Sequence, residues 1–336
     1  MRLSRSLAEL GHRVFYASCA YSRGGEIEDA AISGVRTPDF HIMSRNPFKV
    51  LIAIFKLTRF IRRNAIDVIH AHHRRIVWIL ASFRPVLQVP IVYTGHLTYG
   101  PVKNLKNLYV DAAIGVTASV LNNIKGTIRS GYSQLISNAV DFEQPFIDPK
   151  PSSPLVCCVG RLDPVKNHRT LLAAWALVAK TRPDARLVLV GEGTIRDDLE
   201  GLCNSLGISE KVCFLGYRSD VLSIISSATF CVLPSVVEGQ GIVTIEAAAL
   251  RVPSLVSDVD GSRDCVPPGE RPLPNLVPPL DVEAFSRALL VWLNNPEEVL
   301  KEGGHFQDYW KERASPLFVA RQTQAVYEIA MANFRS

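Results

Sequence analysis

Apolar residues recur along the chain in two rhythms. Short, nearly unbroken runs stand at 68–71, 91–94, 113–116, 155–159, 187–190, 212–215, 230–233 and 254–257, and a further strand is read at 133–137. A run of that length is the pattern of a strand covered on both faces. Between the runs lie longer stretches whose apolar residues fall three and four apart, the spacing of an amphipathic helix. Helices are predicted at 2–10, 47 to about 63, across 76–82, around 104–110, at 119–130, 196–206, 220–227, 244 to about 250, 282–293 and 316–334. One more carries Leu171, Leu172, Trp175 and Val178 on a single face. Gly11 closes the first helix as a left-handed cap, and 13–17 then reads as a strand. Strand and helix alternate throughout, so the fold class is α/β with parallel sheets.

The alternation breaks once. Residues 141–154 are rich in proline and serine and carry no apolar period, as a linker should. A chain of 336 residues fits two domains of roughly 150 residues each. The domains are placed at 1–143 and 144–315, with 316–336 as a terminal helix.

Composition adds exclusions. With 47% hydrophobic and 21% charged residues the chain is suited to a packed core and not to disorder. The net charge of +5 demands no nucleic acid, yet suits an anionic ligand or an anionic membrane surface. Seven cysteines, without a C-x-x-C and with Cys157 beside Cys158, argue against a disulfide framework or a zinc site. A reducing cytoplasm is the expected home. The first ten residues carry charges throughout, unlike a secretory leader. The longest charge-free stretches, 86–102 and 221–237, are interrupted by Gly95, Gly100 and Pro234, whereas a membrane span needs about 20 mostly apolar residues.

Two segments carry chemistry. In Glu238-Gly-Gln-Gly-Ile-Val-Thr-Ile-Glu246 a glycine-rich turn opens a helix. Gly239 and Gly241 let backbone N–H groups approach a ligand, and a helix N-terminus supplies unpaired donors suited to a phosphate. In Gly160-Arg161-Leu-Asp-Pro-Val-Lys166-Asn two cations follow a strand. Such strand ends are where open α/β sheets bind ligands, and a guanidinium fork with an ammonium suits a diphosphate. Gly191-Glu192-Gly193 and Gly216-Tyr217 end two further strands on the same edge. On their own terms these carboxylates and cations also read as solvated loop and helix-surface charges.

In order and spacing, these segments resemble the donor-binding half of the family 4 (group 1) retaining glycosyltransferases. That resemblance implies the GT-B fold, two Rossmann-like domains facing across a cleft, with the terminal helix crossing back to the first. It implies Arg161 and Lys166 on the donor diphosphate, Glu246 on the ribose hydroxyls, Glu238 on the donor hexose, and the backbone of Gly239, Gln240, Gly241, Ile242 and Val243 on sugar and phosphates. Gly160 belongs to the diphosphate turn, and the nucleobase is placed near Gly216, Tyr217 and Arg218. His96, after the strand at 91–94, is assigned to the sugar near the reacting centre. No metal or other cofactor is implied, and Asp258-Val-Asp260 is read as a loop feature and not a metal site.

Gln240 stands where the family usually has an aromatic or apolar residue. The family's first strand and glycine-rich loop are expected ahead of Arg2, so the first domain is read as incomplete. Either the start is internal to a longer frame or the chain is a truncated relative. The implied reaction moves a hexose from a nucleoside-diphosphate sugar to a hydroxyl on a carbohydrate or lipid-linked acceptor, in cell-surface polysaccharide or glycolipid synthesis. The alternatives are an inactive glycosyltransferase-like binding subunit and a nucleotide-sugar 2-epimerase. The helix at 47–63 mixes Phe48, Leu51, Ile52, Phe55 and Phe60 with Lys49, Lys56, Arg59, Arg62 and Arg63. It reads either as a core helix with a solvated basic face or as a peripheral contact with the inner face of a membrane.

Overall fold

The structure, a computed structural model, describes residues 2–17, 40–98, 109–127, 129–143 and 153–335. The chain forms two compact units, Met1–Ala139 with Pro316–Ser336, and Val140–Ser315.

The first unit opens with α1 (Arg2–Glu9) and α2 (Pro47–Asn64). The side chain of Asn46 accepts from the Phe48 N–H at 2.9 Å, Pro47 takes the first helical position, and Ala65 ends α2 in the left-handed region. Then come β1 (Ile69–Ala71), α3 (Arg74–Ser82), α4 (Arg84–Leu87), β2 (Ile91–Gly95), β3 (Tyr109–Val110), β4 (Ala112–Gly115), α5 (Ala118–Thr127), β5 (Arg129–Ser130) and β6 (Ser133–Leu135). The main sheet runs β1-β2-β4-β6, all parallel.

Three sequence expectations need correction in this unit. Residues 13–17 make a single bridge at Tyr16 and no strand. Side chains hold the segment to α2 instead: the Arg13 guanidinium donates to the Asn64 carbonyl, and Phe15 meets Phe60 edge-on at 5.3 Å. The helix expected around 104–110 lies largely outside the described residues, and its end, Tyr109–Val110, is β3. The helix expected over 119–130 stops at Thr127, because Arg129–Ser130 leave it to pair with β3 as β5.

The second unit contains β7 (Leu155–Val159), α6 (His168–Thr181), β8 (Arg186–Val190), α7 (Arg196–Leu206), β9 (Val212–Gly216), α8 (Val221–Ser226), β10 (Phe230–Leu233), α9 (Ile242–Ala249), β11 (Ser254–Ser257), α10 (Asp260–Arg263), β12 (Leu276–Val277), α11 (Val282–Asn294) and α12 (Pro296–Ala314). Its sheet runs β12-β11-β10-β7-β8-β9, parallel throughout. Trp175 and Leu171 from α6, Leu199 from α7 and Phe285 and Trp292 from α11 cover one face. Ile225 from α8 and Ala247 from α9 help to cover the other. Helix α12 had no counterpart in the sequence reading: its buried Val299, Phe306, Trp310 and Ala314 are sparse among charges and flank Gly303-Gly304.

The last element, α13 (Pro316–Arg335), belongs to the first unit. Val319, Ala320, Val326, Tyr327 and Ala330 pack there with Leu7, Val92, Ala112 and Ile114.

Candidate functional site

In the second unit the strand order turns between β7 and β10: β8 and β9 continue outward on one side, β11 and β12 on the other. Crossover helices leave in opposite directions at such a point, so the ends of the two strands border a crevice suited to a ligand. Both charged segments singled out in the sequence begin here.

After β7 the Gly160 N–H donates to the Val190 carbonyl at 2.9 Å. The Asp163 carboxylate accepts from the Lys166 N–H at 3.2 Å and starts a single 3-10 turn over Pro164–Lys166. Asn167, in the left-handed region, donates through its side chain to the carbonyls of Pro234 at 3.1 Å and Pro279 at 2.6 Å. The Val236 N–H donates to the Val165 carbonyl at 2.9 Å. These bonds fasten the loop after β7 to the loop after β10.

The consequence is a contact between two residues 72 positions apart. Lys166 Nζ stands 2.5 Å from Glu238 Oε2, and Ser235 Oγ donates to the same oxygen at 3.1 Å. The two charged side chains keep only 20% and 10% of their exposure. A charge-assisted bond this short, in so little water, fixes both groups in orientation. Arg161 differs: it is 80% exposed and pairs with Asp163 at 3.0 Å.

Helix α9 begins at Gly241 with no side-chain cap, and the Gly241 carbonyl accepts from Thr244 Oγ1 at 2.6 Å. Gln240 and Gly239 are buried, Val243 and Glu246 half-buried, and Ile242 exposed. Beneath this loop runs α10, and a Cβ on Gly261 would sit 2.2 Å from the Glu238 carbonyl oxygen. Only a glycine lets α10 come that close.

The ends of β8 and β9 join the same edge. The Leu162 N–H donates to the Glu192 carbonyl and the Gly191 N–H to the Gly216 carbonyl, each at 2.9 Å. Gly193 lies so near Leu162 that an added Cβ would be 2.0 Å from its oxygen. Tyr217 is exposed, and Arg218 pairs with Asp220 at 2.7 Å. Asp258 and Asp260 both face Arg263, at 2.7 and 3.4 Å.

His96 lies in the first unit, just past β2, and its neighbours there are two more imidazoles. His96 Nε2 is 3.1 Å from His72 Nδ1, and the rings stack at 5.4 Å. His70, its ring tilted against that of His72 at 4.3 Å, bridges Thr94 Oγ1 at 2.6 Å and Tyr327 Oη at 2.7 Å. Lost solvation holds all three pKa values below the ordinary imidazole range; neighbouring imidazoles add to this at His70 and His72. The three rings stay neutral near pH 7.

Sequence reasoning missed Ser235, Gly261, Thr244 and the pairing of His72 with His96. Ser235 and Gly261 meet Glu238 only through loop folding and helix packing, and no spacing rule signals either. His70, His72 and His96 do flank adjacent parallel strands, and their i, i+2 and strand-end positions were the available signal.

Two parallel-sheet α/β units, the second with glycine-bearing strand ends at a switch point, are the parts of the GT-B fold, and solved structures agree. A glycosyltransferase from Rickettsia africae ESF-5 superposes with a TM-score of 0.85 at 16% identity, covering 99% of this chain and 94% of that one. Anabaena Alr3699/HepE in complex with UDP gives 0.81 at 18%, covering 97% and 95%. The family described as "Glycosyl transferases group 1" matches residues 140–312, and that described as "Glycosyltransferase Family 4" matches residues 1–144. The chain belongs to the group 1 glycosyl transferases.

Curated relatives match over shorter reaches. The putative glycosyltransferase EpsD of Bacillus subtilis is 34% identical over 138 residues, 41% of this chain and 36% of its own length. The UDP-Gal:alpha-D-GlcNAc-diphosphoundecaprenol alpha-1,3-galactosyltransferase of Escherichia coli is 29% identical over 161 residues, 47% and 40% of the two chains. The match thus spans less than half the length of either relative.

Proposed function

We propose that this chain is a retaining glycosyltransferase that moves a hexose from a nucleoside-diphosphate sugar to a hydroxyl of a carbohydrate or lipid-linked acceptor, in cell-surface polysaccharide or glycolipid synthesis. The observation that carries the reading is the Lys166–Glu238 pair, held by two loops at the sheet's switch point beside the start of α9. A diphosphate entering there meets an ammonium already oriented by a carboxylate, the Arg161 guanidinium and the N-terminus of a helix. The UDP held by Anabaena HepE, and the UDP-galactose donor and diphosphoundecaprenol acceptor named for the Escherichia coli relative, support this choice of substrates.

In this reading Arg161, Lys166 and the backbone from Gly239 to Val243 stabilise the negative charge that grows on the leaving diphosphate. Glu246 takes the ribose hydroxyls, Gly216, Tyr217 and Arg218 border the base, and Glu238 holds the hexose while fixing Lys166. His96, neutral and paired with His72, contacts the sugar. The bond from the anomeric carbon to the phosphate oxygen breaks and a bond to the acceptor oxygen forms on the same face. The acceptor proton passes to the departing phosphate, so no side chain need act as nucleophile. The cations supply the positive charge, and no metal is called for. We place the reaction in the cytoplasm, peripheral to the inner membrane face. No helix among the described residues is long and apolar enough to cross a membrane.

The test is nucleotide release from a panel of nucleoside-diphosphate sugars, with and without acceptor hydroxyls, for the native chain, Glu238→Ala and Glu246→Ala. Release that requires acceptor and fails in both variants supports the reading, and NMR of the product's anomeric proton reports the stereochemistry. Release without acceptor, or unchanged release in both variants, would overturn it.

A further inference from the structure

Four side chains at the ends of β1 and β2 form a ladder of two rungs. The strands pair in parallel, with Ile69 opposite Ile91 and His70 opposite Val92. Residues two apart along a strand share a face, so His70 goes with His72 and Thr94 with His96. One rung joins His70 Nε2 to Thr94 Oγ1, the next joins His72 Nδ1 to His96 Nε2, and each spans 24 positions. The shared offset shows that strand register sets both contacts.

The rungs differ in what they leave over. In the inner one Thr94 is buried and His70 is saturated, because its second nitrogen meets Tyr327 Oη of α13 at 2.7 Å. His73, next in the run, is engaged elsewhere: its Nδ1 accepts from the Arg75 N–H at the start of α3. In the outer rung His72 is exposed and His96 half-buried, and the bond between them uses one nitrogen of each ring. His96 Nδ1 has no hydrogen-bond partner among the described residues.

Between two neutral rings 3.1 Å apart there is room for one hydrogen, since two facing N–H groups clash and two lone pairs repel. If His96 Nε2–H donates, each ring keeps its proton on Nε2, the tautomer a neutral imidazole prefers in water. If His72 Nδ1–H donates, both rings are forced into the other tautomer. The first arrangement is therefore favoured, and the bond made by one nitrogen of His96 fixes the state of the other.

We propose that His72 is a positioning residue: it accepts the Nε2–H of His96 and so leaves His96 Nδ1 bare, as the acceptor for a hydroxyl of the donor sugar. The sugar's part in this rests on the glycosyl transfer proposed above, whereas the state of His96 does not. A donor hexose must then bring a hydroxyl hydrogen to that nitrogen, and a sugar with hydrogen or fluorine in place of that hydroxyl loses the contact.

The experiment is a long-range proton–nitrogen correlation of the imidazoles in the isotope-labelled full chain at neutral pH, with His96 assigned by its loss in His96→Gln. Before any sugar is added, His96 is expected to show a protonated Nε2 and a bare Nδ1. His72→Leu removes the acceptor and should leave His96 exchanging between tautomers, with kcat/KM for transfer down about tenfold. His72→Asn puts an amide oxygen where Nδ1 stood, and should restore the nitrogen pattern and bring kcat/KM to within about threefold of the native chain. A merely structural role would not be rescued in this way, and circular dichroism of both variants should match the native chain. Native His96 protonated on Nδ1, a native pattern and kcat/KM in His72→Leu, or His72→Asn no better than His72→Leu would overturn the proposal. A native chain that transfers no sugar would sink the functional reading instead, and the nitrogen pattern alone would then decide the role of His72.

Discussion

Lys166 and Glu238 were separate candidates in the sequence, one for phosphate and one for sugar, and the fold makes them a single unit. Each holds the other's charge in a place with little water, so neither can be changed without stranding its partner. Lys166→Met and Glu238→Gln should each lower kcat/KM by about 100-fold or more. The double variant should be no worse than the worse single one, because both remove one shared interaction. Additive losses would show that the two side chains act separately. The imidazoles carry a different prediction. An unfolded histidine binds its proton near pH 6.5, whereas folded His72 does so only at about 4, and His70 and His96 are depressed in the same sense. The unfolded chain therefore holds more protons between these values, and stability falls as pH drops from about 6.5 towards about 4. Protection factors of the β1 and β2 amides, which correct for the intrinsic slowing of exchange in acid, should fall over that window, and His72→Gln should flatten the dependence.

Elements surrounded on both faces were the most legible. Leu155–Val159 and Phe230–Leu233 stand in the structure where their apolar runs predicted them, because a central parallel strand has no polar face to confuse the pattern. What escaped was set by distant contacts. Helix α12 is mostly charged and buries itself through a few residues; Trp310 donates to the Cys265 carbonyl at 3.0 Å, a contact no local spacing announces. The pairing of β3 with β5 likewise overrode a helical spacing. In the candidate site the charged residues were legible by type and spacing, but their supports were not: Ser235 and Gly261 look like ordinary loop residues until the chain folds. Two tests belong at this scale. Gly261→Ala should lower donor affinity with little change in overall structure, since its Cβ must displace the Glu238 loop; calorimetric titration with a nucleoside diphosphate measures this. Asp111 is fully buried, accepts from Arg84 at 2.5 Å and from the Ile91 N–H at 2.8 Å, and Arg84 also lies over the ring of Phe334 on α13. Asp111→Ala should cost about 3 kcal/mol in the unfolding of the first unit, read by denaturant titration.

Across the whole molecule the two units divide the proposed work unequally. Every donor residue named except His96 lies in Val140–Ser315. A nucleoside diphosphate should therefore slow hydrogen exchange at 160–166, 191–193 and 238–246 while raising the second unit's melting temperature. Protection confined to the first unit would contradict the assignment. The placement of α13 has a consequence for how the protein is made. The second unit is, in chain order, an insertion within the first: its final residues leave the ribosome before α13 does. It is complete, in order of emergence, before α13 appears, but the first unit must wait, with Leu7, Val92 and Ile114 uncovered, until α13 emerges. A nascent chain that has emerged as far as residue 315 would thus carry one complete unit and one sticky, unfinished one, and a chaperone recruited there would be guarding the residues of the first unit.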